Sequence, residues 1–348
     1  MSSHTLYLPH PSTLTVLHHD LENHALSCLE VLIGTPGSVM ERENAQGFRF
    51  YSRQFYLPNG KKRELYLGGP VGDPEADDYA YRTRAQINET KALIRDIRLL
   101  GREGYQLADA YTYSTLATLH NHGLFRAGLT LVGSHAFGAL LNHLGVRATS
   151  YKTEDVDVAR AEPLTFDTPP QAPLFEILKS SGVEFVEVPS FKRGEPSTSW
   201  KELGRGRFQV DLLVPSPNDE FKVVPVPELK AHAQSIPYLR YLLGETQRSL
   251  LIAREGCFSI LTPTPERFAL HKLLVSQLRG AGALKGRKDL TQAATLLAVL
   301  SERSPGAITD AFERLPLSAI TSVKAAIIAL SELLGDTHPR VWDELSRP

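Results

Sequence analysis

One broken stretch constrains this chain more than any other: Leu131-Val132-Gly133-Ser134 leading into a helix-like run, then Asp155-Val156-Asp157-Val158. The first part predicts a strand ending in a small-residue turn, and the second predicts a short strand carrying two carboxylates. Successive strand side chains point to opposite faces, so Asp155 and Asp157 project together while Val156 and Val158 turn back into a core. Two like charges side by side cost free energy unless a cation neutralises them, which makes the pair a candidate metal site.

The rest of the composition narrows what such a site could serve. A formal net charge of -1 over 348 residues gives no global pull toward a polyanion, so a nucleic acid would have to be met by a local basic patch. The length suits roughly two or three domains, and 42% hydrophobic content is ordinary for a globular protein. Cys28 and Cys257 stand far apart without metal-ligand spacing, which fits free thiols in a reducing compartment. Met1-Ser2-Ser3-His4 does not open a targeting leader, and no apolar run approaches the ~18 residues of a membrane span. The expectation is a cytoplasmic chain with no membrane partner.

Local signals divide the chain into a helical and β-hairpin segment over 1–125, an α/β core over 126–225 and a mainly helical region over 226–348. Ser12 is placed to cap a helix running to about Ile33, where Gly34-Thr35-Pro36-Gly37 stops it. Two aromatic and basic runs, Phe48 to Leu57 and Lys61 to Leu67, flank Asn59-Gly60 and predict a hairpin. Arg49, Arg53, Lys61, Lys62 and Arg63 lie among Phe50, Tyr51, Phe55, Tyr56 and Tyr66. Interleaved cations and aromatics could hold phosphates and stack on bases, or form an ordinary half-buried hairpin with a solvated basic face. An acidic Pro/Gly loop through Asp78 reads as a linker, and helices are expected at Thr83 to Leu100 and Leu107 to His122. The core then alternates strand Leu129–Val132, helix Ala136–Leu144, strand Val156–Ala159, helix Leu174–Ser181, strand Val183–Val188 and strand Phe208–Val214. Beyond it, helical periodicity is expected to dominate, in Phe268–Leu278, Leu290–Leu300, Ile308–Leu315 and Ile320–Leu334.

A lone aspartate, Asp211, sits inside the strand Phe208-Gln209-Val210-Asp211-Leu212-Leu213. Together with Gly133-Ser134 and Asp155-Val156-Asp157, it gives a small-residue turn, two alternate carboxylates and a third carboxylate on a neighbouring strand. That order resembles the nucleotidyltransferases of the DNA polymerase beta superfamily. The resemblance implies a polymerase-beta-like α/β core with a mixed sheet, and transfer of a nucleoside monophosphate from an NTP to a hydroxyl with release of pyrophosphate. It also implies Mg²⁺ or Mn²⁺ on Asp155, Asp157 and Asp211, with Asp211 nearest the acceptor hydroxyl as base. Gly133 and Ser134 would contact the triphosphate at the start of the following helix.

Twenty residues, His135 to Glu154, separate Ser134 from Asp155. Such an insert resembles the branch holding abortive-infection-type nucleotidyltransferase toxins and related bacterial proteins. Two later motifs of that branch have counterparts in His271-Lys272 through Leu278-Arg279 and in Arg287-Lys288-Asp289-Leu290. The resemblance therefore places Lys272, Arg279 and Asp289 in nucleotide binding, and it admits an antitoxin-like partner. Thr291-Gln292 stand where that branch has a second acid, so Asp289 is the only carboxylate of its motif. Acceptors that fit such a core include RNA or a tRNA end, a protein hydroxyl and a small molecule. Other roles stay open at this point. Asp211 could be a buried partner for Arg207, Lys272 a solvated lysine and Asp289 a helix cap, and His135 and His143 read as structural. The competing class is a nucleic-acid-binding or regulatory partner protein with a degenerate transferase core, and the intact set of three acids speaks against it.

Overall fold

The computed structural model describes residues 5–149, 153–190, 192–218, 220–278, 284–334 and 337–346. It begins with β1 (Tyr7–Pro9), α1 (Ser12–Ser27), β2 (Ser38–Glu43), β3 (Arg49–Tyr56), β4 (Lys62–Gly68), α2 (Pro74–Arg102) and α3 (Ala110–Asn121). The central region holds β5 (Thr130–Val132), α4 (Gly133–His143), β6 (Val146–Ala148), β7 (Asp155–Ala159), α5 (Leu174–Lys179), β8 (Phe185–Glu187), β9 (Ser199–Glu202) and β10 (Gln209–Pro215). After these come β11 (Val223–Val226), β12 (Ala231–Ile236), α6 (Leu239–Leu242), β13 (Thr246–Ala253) and β14 (Gly256–Pro263). The chain closes with α7 (Pro265–Leu278), α8 (Leu284–Arg303), α9 (Ala307–Glu313), α10 (Leu317–Leu334) and α11 (Pro339–Leu345). The class is mixed α/β, as expected. No helix among the described residues is long and apolar enough to cross a membrane.

The central sheet runs β11-β12-β10-β7-β5, with β9 paired to β10 and β8 paired to β9. Strand β10 is parallel to both β7 and β12 and antiparallel to β9. Its first half takes β9 as neighbour and its second half takes β12, so the edge is shared lengthwise. The period-2 pattern decides which face of β7 and β10 is wet. Val156, Val158, Val210, Leu212 and Val214 are buried in the main core, while the acids between them face the other way.

Several expected elements differ. Pro11, not Ser12, precedes α1, and the helix stops at Ser27, short of Ile33. The stretch foreseen as a linker is mostly helix: Asp73 accepts hydrogen bonds from the Glu75 and Ala76 amides, and Pro74 occupies the first helical position. Within 226–348, the part expected to be mainly helical, β12 completes the central sheet and β13 and β14 form a long antiparallel hairpin. That hairpin packs Leu250, Ile252 and Cys257 against Leu21 and Ala25 of α1 and Ile97 and Leu100 of α2.

The basic aromatic hairpin around Asn59-Gly60 does form, with β2 added as a third strand. Its charges are not a uniform basic face. Arg49 pairs with Glu41 at 2.8 Å and Lys61 with Glu184 at 3.4 Å, and Lys62 and Arg63 are exposed. Arg53 departs from the expectation of a surface phosphate contact: it is only 4% exposed. Its guanidinium donates to the carbonyls of Ile33, Thr35 and Pro36 and lies 4.2 Å from the Phe55 ring centroid. Arginine suits this place because one planar fork can satisfy several carbonyls of the Ile33–Pro36 turn at once. Arg53→Ala is expected to lower stability in urea unfolding by about 2–4 kcal/mol, since it leaves those carbonyls without a donor. Lys62→Ala should move stability by less than about 0.5 kcal/mol. Similar values for the two variants would contradict the bracing role.

Candidate functional site

The acids meet because of strand register. Asp157 lies directly opposite Asp211 on parallel neighbours, and Asp155 lies opposite Gln209. All three therefore stand on one face of adjacent strands. Val132, the last residue of β5, pairs with Asp157 from the other side. This pairing brings the turn at Gly133 against the carboxylate: a Cβ at Gly133 would sit 2.2 Å from Asp157 Oδ2, and the backbone there has φ +70°. Only glycine fits both the conformation and the approach.

The carboxylates differ in environment. Asp155 is exposed, whereas Asp157 and Asp211 are half-buried. Gln209 Nε2 donates to Asp211 Oδ1 at 2.7 Å. Burial pushes the Asp211 carboxyl above the usual carboxylate range; hydrogen bonds from Ser199 and Gln209 pull it down, and the charge of Asp155 adds to the rise. Among the described residues no arginine, Arg207 included, pairs with Asp211. Its hydrogen-bonding neighbours are the Gln209 amide and the Ser199 hydroxyl, and it shares its face with two further acids.

These residues form the floor of a cleft of about 1020 Å³ that also takes in Gly133, Ser134, Lys272 and Asp289. Helix α7 forms one wall through Phe268, His271, Lys272 and Val275, and α8 adds Lys285, Lys288 and Asp289. Lys272 Nζ is 2.6 Å from Asp289 Oδ1, and their side chains are 12% and 2% exposed. The second motif acid is thus a buried brace that holds the lysine at the cleft, not a cap at the start of its helix. Lys272→Ala strips an ammonium from a buried carboxylate and is expected to cost about 3 kcal/mol in urea unfolding. The double change Lys272→Met with Asp289→Leu should recover most of that stability. A double variant as unstable as the single one would argue against the pair as the cause. Arg279, the last residue of the same motif, lies outside the described residues.

Two further cleft lysines had no role assigned from sequence: Lys285, and Lys288, which stood only within the Arg287-Lys288-Asp289 motif. Burial and the neighbouring Lys272 push the Lys288 ammonium below its usual range, while Asp289, Asp155 and Asp157 pull it back, so it stands among the acids. Lys285 lies close enough to Asp211 to lower that carboxyl. A lysine-rich turn reads as solvated surface, and only the return of α8 over β7 and β10 makes it part of the cleft. Tyr238 also lines the cleft, in a left-handed conformation at φ 59° that bulky residues rarely adopt. The five hairpin cations are absent from its lining.

The donor chemistry suits hard divalent cations. The three aspartates supply oxygen donors of concentrated negative charge, which is the preference of Mg²⁺ or Mn²⁺. Ser134 adds a hydroxyl in the first turn of α4, and Gly133 and Ser134 both line the cleft.

Comparison with known proteins places the chain in a family. A family described as Nucleotidyltransferase matches residues 111–316, more than half of the chain and the whole of the cleft's described lining. Among solved structures the chain is similar to an antigenic nucleotidyltransferase-like protein from Paracoccidioides brasiliensis. The two are 17% identical with a TM-score of 0.37, and the match covers 66% of this chain and 91% of that one. No curated protein matches. The chain belongs to the nucleotidyltransferase family.

Proposed function

We propose that the protein transfers a nucleoside monophosphate from an NTP to a hydroxyl acceptor in a metal-dependent reaction that releases pyrophosphate. The observation that carries this reading is the convergence of Asp155, Asp157 and Asp211 on one sheet face beside the Gly133 turn. Asp155, Asp157 and Asp211 would hold Mg²⁺ or Mn²⁺, which when bound supplies charge stabilisation at the α-phosphate and the leaving group. The chain's own residues do the rest. The α4 N-terminus and Ser134 bind the triphosphate, because backbone amides and the helix dipole favour negative charge there. Lys272, Lys285 and Lys288 offset the phosphate charge from the opposite wall. Asp211 accepts the acceptor's proton. Burial raises its basicity, and the Gln209 amide fixes one of its oxygens.

The acceptor is the less constrained half. The exposed Lys62 and Arg63 on the strand that also carries the exposed Tyr66 favour RNA or a tRNA end over a small molecule, and protein hydroxyls fit the same floor. The Lys272–Asp289 pair supports placement in the branch of abortive-infection-type enzymes, with an antitoxin-like partner and a cytoplasmic setting. The test is a screen of all four labelled NTPs with Mg²⁺, using total tRNA and cell lysate as acceptors. One preferred NTP and a labelled RNA or protein band are expected. Salt-dependent RNA binding with no label transfer would favour a binding protein with a degenerate core instead.

A further inference from the structure

We propose that α1 carries a second metal centre, remote from the three aspartates, in which His18, His19 and Glu22 bind a divalent cation of the zinc type. One ligand atom from each residue lies within 4.8 Å of the other two. His19 Nδ1 stands 3.1 Å from Glu22 Oε2, about the separation of two donors sharing a tetrahedral ion at roughly 2.0–2.2 Å. The His18 nitrogen lies within 4.8 Å of both, and rotation about the histidine's two torsions would close it onto the same point.

His18 supplies the independent observation. It is 1% exposed, yet neither ring nitrogen has a hydrogen-bond partner. Sealing two polar nitrogens from water without partners costs about 1–3 kcal/mol each, and a bond to a cation removes one of those costs. The ring stacks on Tyr105 with centroids 5.3 Å apart. The carboxylate is held, because His143 Nδ1 lies 3.2 Å from Glu22 Oε1. A ligating carboxylate steadied by a further hydrogen bond is the usual arrangement at metal sites. Two imidazoles and one carboxylate are a borderline donor set that favours Zn²⁺ and disfavours Mg²⁺ or Ca²⁺, and the half-exposed His19 gives the ion a path from solvent.

The position gives the centre a purpose. His143 is the last residue of α4, and Gly133 is its first. An ion on Glu22 therefore fastens α1, through the His143 contact, to the helix that carries the triphosphate turn.

The experiment strips the purified full-length protein with a chelator and titrates Zn²⁺ against a chromophoric competitor, with excess Mg²⁺ present. One tight zinc per chain is expected, together with a higher thermal unfolding midpoint. His19→Ala removes a half-exposed side chain, so its metal-free circular dichroism and melting should match the parent's while zinc affinity falls at least about tenfold. Glu22→Gln gives a second reading of the same loss, and Asp155→Ala should keep full zinc binding, which separates this centre from the cleft. No bound zinc in the parent protein, or equal zinc affinity in His19→Ala and Glu22→Gln, would overturn the proposal and leave only a hydrogen-bonded histidine and glutamate cluster.

Discussion

Asp211→Asn is expected to abolish nucleotidyl transfer, with a loss of about a thousandfold or more, while leaving the metal-free protein as stable as its parent or slightly more so. The two effects have opposite signs for one reason. In the absence of a cation, the Asp211 carboxylate is penalised by burial and by the charge of Asp155, so its ionised form is held against a free-energy gradient. Asparagine keeps the oxygen that accepts from Gln209 and removes the charge. On the proposed reading, the reaction would use this concentrated negative site and basic oxygen, which would make the strain an instance of stability yielded at a functional position. Label transfer and thermal melting on the same preparations check the pair of signs. A fall in both would mean that Asp211 is a structural residue.

Gly133→Ala is expected to lower transfer by more than about a hundredfold and stability by about 1–3 kcal/mol. The added methyl would approach Asp157 Oδ2 to 2.2 Å in a backbone conformation at φ +70° that alanine resists. Either the turn or the carboxylate must move, and an ångström of displacement at a reacting centre is costly. Gly60→Ala separates the two contributions. Gly60 has φ +78° and nothing within 4 Å of its added Cβ, so that variant should lose comparable backbone stability with full activity. If Gly133→Ala behaved like Gly60→Ala, the close approach to Asp157 would carry no functional weight.

What the sequence made legible follows from periodicity. In β10, and in β7 from Asp155 to Val158, every second residue is buried, so the alternation in Asp155-Val156-Asp157-Val158 and in Val210-Asp211-Leu212 shows both the strand and the face of its acids. The β13 and β14 hairpin escaped because residues 249–253 and 256–260 are buried throughout, which erases the alternation and leaves apolar runs that also suit a helix. The start of α2 was hidden for another reason. Proline and glycine around Asp73 suggest a loop, although the same Asp-Pro pair is a helix start. Arg53 shows where composition misleads: its neighbours suggest a nucleic-acid face, and only the fold of the Ile33–Pro36 turn over the hairpin turns it inward. Lys285 had no local signal, and Lys288 stood only inside the Arg287-Lys288-Asp289 motif with no role assigned, since the place of both at the cleft comes from how α8 packs.

The most direct measurement follows label from α-³²P-labelled NTP in the presence of Mg²⁺ for the parent protein and for Asp155→Ala. Asp155 is exposed, so its removal should leave the fold intact and report on chemistry alone. Transfer by the parent, with loss of at least about a thousandfold in Asp155→Ala, is the predicted result. Equal labelling by the two proteins would contradict nucleotidyl transfer at these carboxylates.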